Sequence, residues 1–225
     1  MLEIIYKDDD IVAINKPNGL LVHRSPIASR ETTFAVQTLR DQLGQDVFLI
    51  HRLDRKTSGV LLFALSKEMA RVLTDQFVEK SVSKRYIAIV RGYFPENVTV
   101  DYALTNDRGK VQDALTEFKC LKTTELDMPF GKHSTSRYSL IEARPMTGRQ
   151  HQIRKHCSHL RHPIIGDRPY GCSKQNRLFK EKWGMMTSLL HAAELRFKHP
   201  VDGRELVLEA GLNDEFVRMQ KALEL

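Results

Sequence analysis

The chain has 225 residues, 41% of them hydrophobic and 28% charged, with a mean hydropathy of -0.37. That composition supports one substantial core and excludes a wholly disordered chain. Lys and Arg number 35 against 28 acidic residues, a net charge of +7 that is compatible with a polyanionic partner but does not by itself demand one.

In chain order, residues 3–6 and 11–14 read as a β-hairpin across the Asp8-Asp9-Asp10 turn. Asn15-Lys16-Pro17-Asn18-Gly19 breaks the pattern, because Pro lacks a ladder donor and Asn-Gly favours a turn. Phe34, Leu39 and Leu43 predict a helix over 33–43 that stops at Gly44. Residues 47–50 and 60–65 read as buried strands around a polar insert, 51–59. Ser66 is a candidate N-cap for a helix to about residue 80, with Met69, Ala70, Leu73 and Phe77 facing inward. A strand at 86–90 follows, then weaker strands over 101–124 joined by the Asn106-Asp107-Arg108-Gly109 turn. Residues 128–136 read as a polar loop, 138–143 as a strand and 150–160 as a helix. A hairpin at 189–197 and 205–209 and a helix at 214–223 close the chain. The expected class is α+β, one domain over 1–225, with a mixed, largely antiparallel central sheet flanked by helices and loops.

Basic residues concentrate between Arg144 and Arg168, where Arg149, Arg154, Lys155 and Arg161 also lie and Asp167 is the one acid. A polyphosphate partner would use such a stretch. The insert His51-Arg52-Leu53-Asp54-Arg55-Lys56-Thr57-Ser58-Gly59 puts a carboxylate among three cations, which favour its ionised form. An ionised Asp on a loop between strands suits a nucleophile or base. Spacing alone favours the plainer reading, a turn-capping Asp54 amid ordinary surface charges.

The segment His-Arg-Leu-Asp-x-x-Thr-Ser-Gly resembles the catalytic signature of the pseudouridine synthases, in the branch typified by ribosomal large-subunit synthase A. Three more segments fall in that family's order. Asn15-Lys16-Pro17-x-Gly19-Leu20 resembles its N-terminal motif. Lys84-Arg85-Tyr86-Ile87-Ala88-Ile89-Val90-Arg91-Gly92 resembles its tyrosine motif. Thr147-Gly148-Arg149-Gln150-His151-Gln152-Ile153-Arg154, with His162-Pro163-Ile164-Ile165-Gly166-Asp167, resembles its arginine motif. Asn18, Gln150 and Ile153 depart mildly from the pattern and remove no reactive group. Residues 21–25, 128–138 and 159–163 are similar to a branch that acts on tRNA, at the uridine in position 65.

The resemblance implies isomerisation of uridine: the N1–C1′ bond breaks, the base turns, and it rejoins through C5. No redox change or phosphate transfer is involved, so neither a cofactor nor a metal is expected. The resemblance makes Asp54 the catalytic carboxylate, acting at the ribose by adding to C1′ or by removing a 2′ proton. It makes Tyr86 the residue that stacks on the base and assists proton loss from C5; without it, Tyr86 reads as a half-buried strand tyrosine. Arg154 matches the arginine that pairs with the catalytic carboxylate, and a guanidinium fork suits that task. Arg52 matches the side chain that enters the RNA stack in place of the extruded uridine. Arg55, Arg149, Lys155 and Arg161 are expected to contact RNA; a phosphate contact alone is the plain reading for Arg52 and Arg154 and the preferred one for Arg149.

Other classes fit less well. No apolar run reaches the ~20 residues of a membrane span, and the start of the chain does not read as a secretion signal. Cys120, Cys157 and Cys172 form no CxxC, against a disulfide framework or zinc ribbon. His151, His156, His159 and His162 lie near Cys157, but their spacing lacks a metalloprotease pattern. The expectation is therefore a cytoplasmic, monomeric enzyme acting on tRNA, without an N-terminal RNA-binding domain of the S4 type. The same chemistry on ribosomal RNA or another tRNA site is the alternative, as is a non-catalytic RNA-binding module, which loss of Asp54, Tyr86 or Arg154 would have favoured.

Overall fold

The computed structural model describes residues 1–23 and 33–225; Arg24 and Ser25, from one of the segments similar to the tRNA-acting branch, lie outside the described residues. The described residues form twelve strands and five α-helices. They divide into two compact units, Met1–Lys84 with Ala192–Gly211 and Arg85–His191 with Leu212–Leu225. Both carry helices on antiparallel ladders, the α+β class expected from sequence.

In the first unit, β1 (Glu3–Lys7) and β2 (Ile11–Lys16) form the expected hairpin. Asp8 builds its turn: one carboxylate oxygen accepts the N–H groups of Asp10 and Ile11, and the other accepts Tyr6 Oη and faces His199 Nε2 at 3.0 Å. β2 pairs with β4 (Ser58–Ala64), whose other ladder partners include the two-residue β3 (Phe48–Leu49). All seven residues of β4 are buried, so it reads as a continuous apolar run rather than an alternating one. The helix α1 (Ala35–Leu43) ends at Gly44 as expected. In α2 (Lys67–Val78), Ser66 Oγ accepts the Met69 N–H, and Leu73 enters the core with Met69, Ala70 and Phe77 packed around it. The hairpin of β11 (Leu190–Lys198) and β12 (Glu205–Glu209) adds Leu195, Phe197 and Leu208 to that core.

In the second unit, the strand order is β5 (Ser83–Arg91), β10 (Ser136–Pro145), β9 (Leu115–Leu126) and β6 (Asn97–Asp101). The Asn106 turn joins β7 (Leu104–Thr105) to β8 (Val111–Gln112), with Asn106 Oδ1 accepting from Arg108 and Lys110. On one face, α3 (Gln152–His159) adds Ile153 and Cys157 to a core with Ala88, Val90, Phe118 and Ile141. A helix the sequence reading did not anticipate, α4 (Ser173–Trp183), buries Gln175 and Phe179. Its inner side holds so few apolar residues that helical periodicity is silent. The short β6 was missed for a similar reason, since only Val98 and Val100 alternate there. The final helix α5 (Asp214–Ala222) is capped by Asn213, whose side chain accepts the Phe216 N–H.

Gly59, the last residue of the His51–Gly59 insert, has φ +110° within β4, and a Cβ there would overlap the backbone carbonyl of Ala192. Neither the backbone conformation nor the strand spacing admits a side chain. Gly59→Ala should therefore destabilise by more than about 3 kcal/mol, lowering Tm by roughly 6–12 °C for a chain of this size. Gly211→Ala, which meets open space at ordinary φ, should leave the melting curve within about 2 °C.

Candidate active site

The insert carrying Asp54 is a loop between β3 and β4. Its centre is a turn in which the Thr57 N–H donates to the Asp54 carbonyl at 3.0 Å. Leu53 and Thr57 are buried and anchor the turn from either side, leaving Asp54 half-buried with Arg52 and Arg55 exposed. The neighbouring turn at residues 17–20 is tied to it. Gly19 N–H donates to the Arg55 carbonyl at 2.9 Å, and Arg55 Nε donates back to the Gly19 carbonyl at 3.0 Å.

Beneath both turns lies Lys16, wholly buried. Its Nζ donates to the carbonyls of Pro17 and Leu20 at 2.9 Å and of Arg55 at 3.2 Å. Burial pushes the ammonium down to about 7, against the opposing pull of the Asp54 carboxylate. His51 at the start of the insert stacks on Phe77 and accepts the Leu62 N–H; burial pushes it down to about 3, so it stays neutral. The sequence reading named Lys16 as part of a motif without giving it a task. A lysine in register with Val12 and Ile14, on a strand buried on both faces, was the available signal.

In the second unit, Tyr86 lies on β5 opposite Ala143, half-buried against the core. Arg154 lies on α3 with 12% of its side chain exposed. Its Nε and Nη2 donate to the two oxygens of Asp167 at 2.7 and 2.9 Å, a fork onto a carboxylate that is 1% exposed. The Tyr170 ring lies 5.0 Å from the guanidinium, and His151 Nδ1 meets Tyr170 Oη at 3.0 Å. The Asp167 loop is held by α4: Asn176 accepts the Gly166 N–H and donates to the Asp167 carbonyl. Gly166, at φ +81°, packs its α-carbon against the Thr187 carbonyl, where a Cβ has no room. Gln152 staples the preceding loop, accepting from Thr147 Oγ1 and Arg149 N while donating to the Leu115 carbonyl and Thr116 Oγ1.

The basic stretch is thus partly committed within the fold. Arg144 pairs with Glu142, Arg149 Nε donates to the Asp113 carbonyl, and Lys155 Nζ donates to the Thr105 carbonyl. Arg161 is exposed at the end of α3 with a positive φ. The nearby histidines have structural partners: His156 meets Thr116 Oγ1 and the Tyr102 carbonyl, His159 stacks on Tyr102, and His162 meets the Arg91 carbonyl. Burial raises the Cys157 thiol well above its ordinary range, which makes it inert as a nucleophile.

Two outcomes follow. Lys16→Met removes a donor from three carbonyls, of which that of Arg55 keeps the Gly19 N–H, and should cost about 3 kcal/mol. Between pH ~7 and ~10 the unfolded lysine holds a proton that the folded one has lost, so wild-type stability should rise with pH. Lys16→Met should flatten that rise, leaving the part due to Lys84, which burial pushes down to about 8. Urea titrations across that pH range read both effects. Asp167→Asn removes one charge of a buried pair and should lower stability by roughly 3–5 kcal/mol, seen as a lower urea midpoint at unchanged m.

Comparison with known proteins gives the same answer over most of the chain. The family model described as RNA pseudouridylate synthase matches residues 10–159. The chain is 48% identical to tRNA pseudouridine synthase C of Vibrio parahaemolyticus, over 97% of this chain and 93% of that one. It is 47% identical to the protein of the same name from Yersinia pestis, over 93% and 86%. Among solved structures, human RNA pseudouridylate synthase domain containing 4 superposes with a TM-score of 0.74 at 27% identity, covering 99% of this chain and 93% of that one. Human RNA pseudouridylate synthase domain containing 1 gives 0.74 at 25% identity, over 100% and 95%. The loops built around Lys16 and Asp167 thus belong to an isomerase of uridine in RNA, and the chain is a member of the RNA pseudouridylate synthase family.

Proposed function

We propose that the RNA this enzyme modifies is tRNA, at uridine 65, and that it works in the cytoplasm without a cofactor. One observation carries the reading: near full-length identity of 47–48% to relatives named tRNA pseudouridine synthase C. Among the described residues no helix is long and apolar enough to cross a membrane.

Asp54 is the carboxylate that acts at the ribose, Tyr86 stacks on the uracil and helps C5 lose its proton, and Arg154 is the cation assigned to the carboxylate. The reaction breaks N1–C1′ and forms C5–C1′, with the C5 proton ending on N1 or solvent, so electrons balance without an oxidant. Arg52 is the side chain that fills the stack left by the extruded base. The firm seating of the Asp54 turn, through Leu53, Thr57 and the bonds to the Arg55 carbonyl, supports this role, because a catalytic group is effective only in a fixed position. Arg55, Lys155 and Arg161 contact phosphates, and Arg149 does so with whatever donors Asp113 leaves it.

Asp54→Asn keeps the shape and removes the charge. In single-turnover assays with saturating enzyme and an unmodified tRNA transcript, it should lower pseudouridine formation by roughly 10²–10⁴-fold or more, with RNA affinity within a few-fold. Nucleotide-resolution mapping of the wild-type product should place the pseudouridine at position 65. Modification of a ribosomal RNA transcript in its place would overturn the tRNA assignment while leaving the chemistry intact.

A further inference from the structure

The second unit carries a pocket that none of the expected catalytic residues lines. Its walls include Arg91, Tyr93, Phe130, Thr135 and Arg137, and Gln175 closes the floor. Its volume is about 330 Å³, at the lower end of the ~300–1,000 Å³ typical of small-ligand sites. That is room for one nucleotide and not for a helix. Arg91 lies five residues along β5 from Tyr86, roughly 16 Å at strand rise, and an odd spacing points the two side chains to opposite faces. The pocket is therefore separate from the place where Tyr86 would meet the uracil.

Its chemistry is specific. The Arg137 guanidinium lies over the Tyr93 ring at 5.2 Å, and that of Arg91 over the Phe130 ring at 6.0 Å. Among the described residues no carboxylate lines the cavity, and the acid that meets its guanidinium groups is Glu125 behind the wall, paired with Arg137 at 3.2 Å. The nearby Glu125 holds this wall from outside. Its oxygens accept from Tyr93 Oη, Thr135 Oγ1 and Arg137 Nη2. Those three bonds, Thr135 foremost, hold the Glu125 carboxyl down near 2, so the brace stays ionised at any working pH. Gln175 is buried and donates to Tyr138 Oη at 2.7 Å, which fixes the floor. The result is a slot with planar aromatic and guanidinium faces, its two guanidinium charges set against the one carboxylate of Glu125. Unpaired RNA bases stack on such faces, while the guanidinium edges take the phosphate.

We propose that this pocket is a second RNA contact, holding one unstacked nucleotide of the substrate at a distance from the target uridine. The proposal rests on the family's action on RNA and not on the choice of tRNA. Preorganisation by Glu125 means that little ordering is left to do on binding.

The test uses the full chain, with unmodified tRNA and ribosomal RNA transcripts titrated in parallel. Tyr93→Leu, which removes the aromatic face, should weaken binding about tenfold, and Tyr93→Phe, which keeps it, should bind within about twofold of wild type. Arg91→Gln should lower the slope of log K against log salt by about 0.7–1. In each variant the single-turnover rate at saturating enzyme should stay at the wild-type value. A hydroxyl-radical footprint should show one protected nucleotide outside the target region that Tyr93→Leu exposes. Thermal melts identify any variant that fails to fold, and Arg91→Gln then decides alone. Wild-type affinity, salt slope and footprint in folded variants would overturn the proposal. Failure of the wild type to modify tRNA would overturn the substrate assignment only, because the binding arms are then read on the RNA that is modified.

Discussion

The bidentate pair between Arg154 and Asp167 is the interaction on which the second unit's candidate site depends. A carboxylate 1% exposed loses its hydration, and only a matched fork with further hydrogen bonds makes up the loss. The structure meets that demand from three elements. Helix α3 supplies Arg154, the Ile165–Asp167 turn supplies the acid, and α4 supplies Asn176 to hold the turn's backbone. Gly166 is the residue that lets the turn press against the Thr187 carbonyl. With Nε and Nη2 occupied, the guanidinium is fixed in plane, and any further partner must approach its remaining edge.

Lys16 solves the corresponding problem in the first unit. Two turns must be held still, yet turns have no ladder to share their carbonyls with. One buried ammonium collects three of those carbonyls and joins residue 17, residue 20 and the Asp54-bearing loop. The cost is desolvation of a charge, visible in its lowered proton affinity. Each unit thus seats a loop on a buried basic side chain, Lys16 through backbone carbonyls and Arg154 through the Asp167 carboxylate, where a hydrophobic contact would fill space without fixing direction.

The positive charge of the chain divides into two populations with different tasks. Arg144, Arg149, Arg154 and Lys155 spend hydrogen bonds on the fold itself. Arg52 and Arg161 are exposed, and Arg55, also exposed beside the Asp54 turn, does both, spending its Nε on the Gly19 carbonyl. Charge counted along the sequence therefore overstates what is available to a polyanion. The aromatic-backed guanidinium groups of Arg91 and Arg137 lie outside the basic run altogether.

The sequence by itself determined the elements whose signal is local: the hairpin of residues 3–6 and 11–14, the Ser66 cap, the Gly44 stop and the terminal helix each follow from neighbouring residues. It also determined the family, because four motifs in fixed order carry far more information than any one of them, and with the family came Asp54, Tyr86 and Arg154 as the residues to examine. It was silent on α4, whose buried face is Gln175 and Phe179 rather than an apolar stripe. It gave Lys16 and Asp167 no role, because each acts through partners that spacing does not reveal. Lys16 reaches the Arg55 carbonyl 39 residues away, and Asp167 lies 13 residues from Arg154 across a helix end and a turn. Only tertiary structure brings those atoms to hydrogen-bond distance, and burial then makes the bonds matter, because water no longer competes for the same donors.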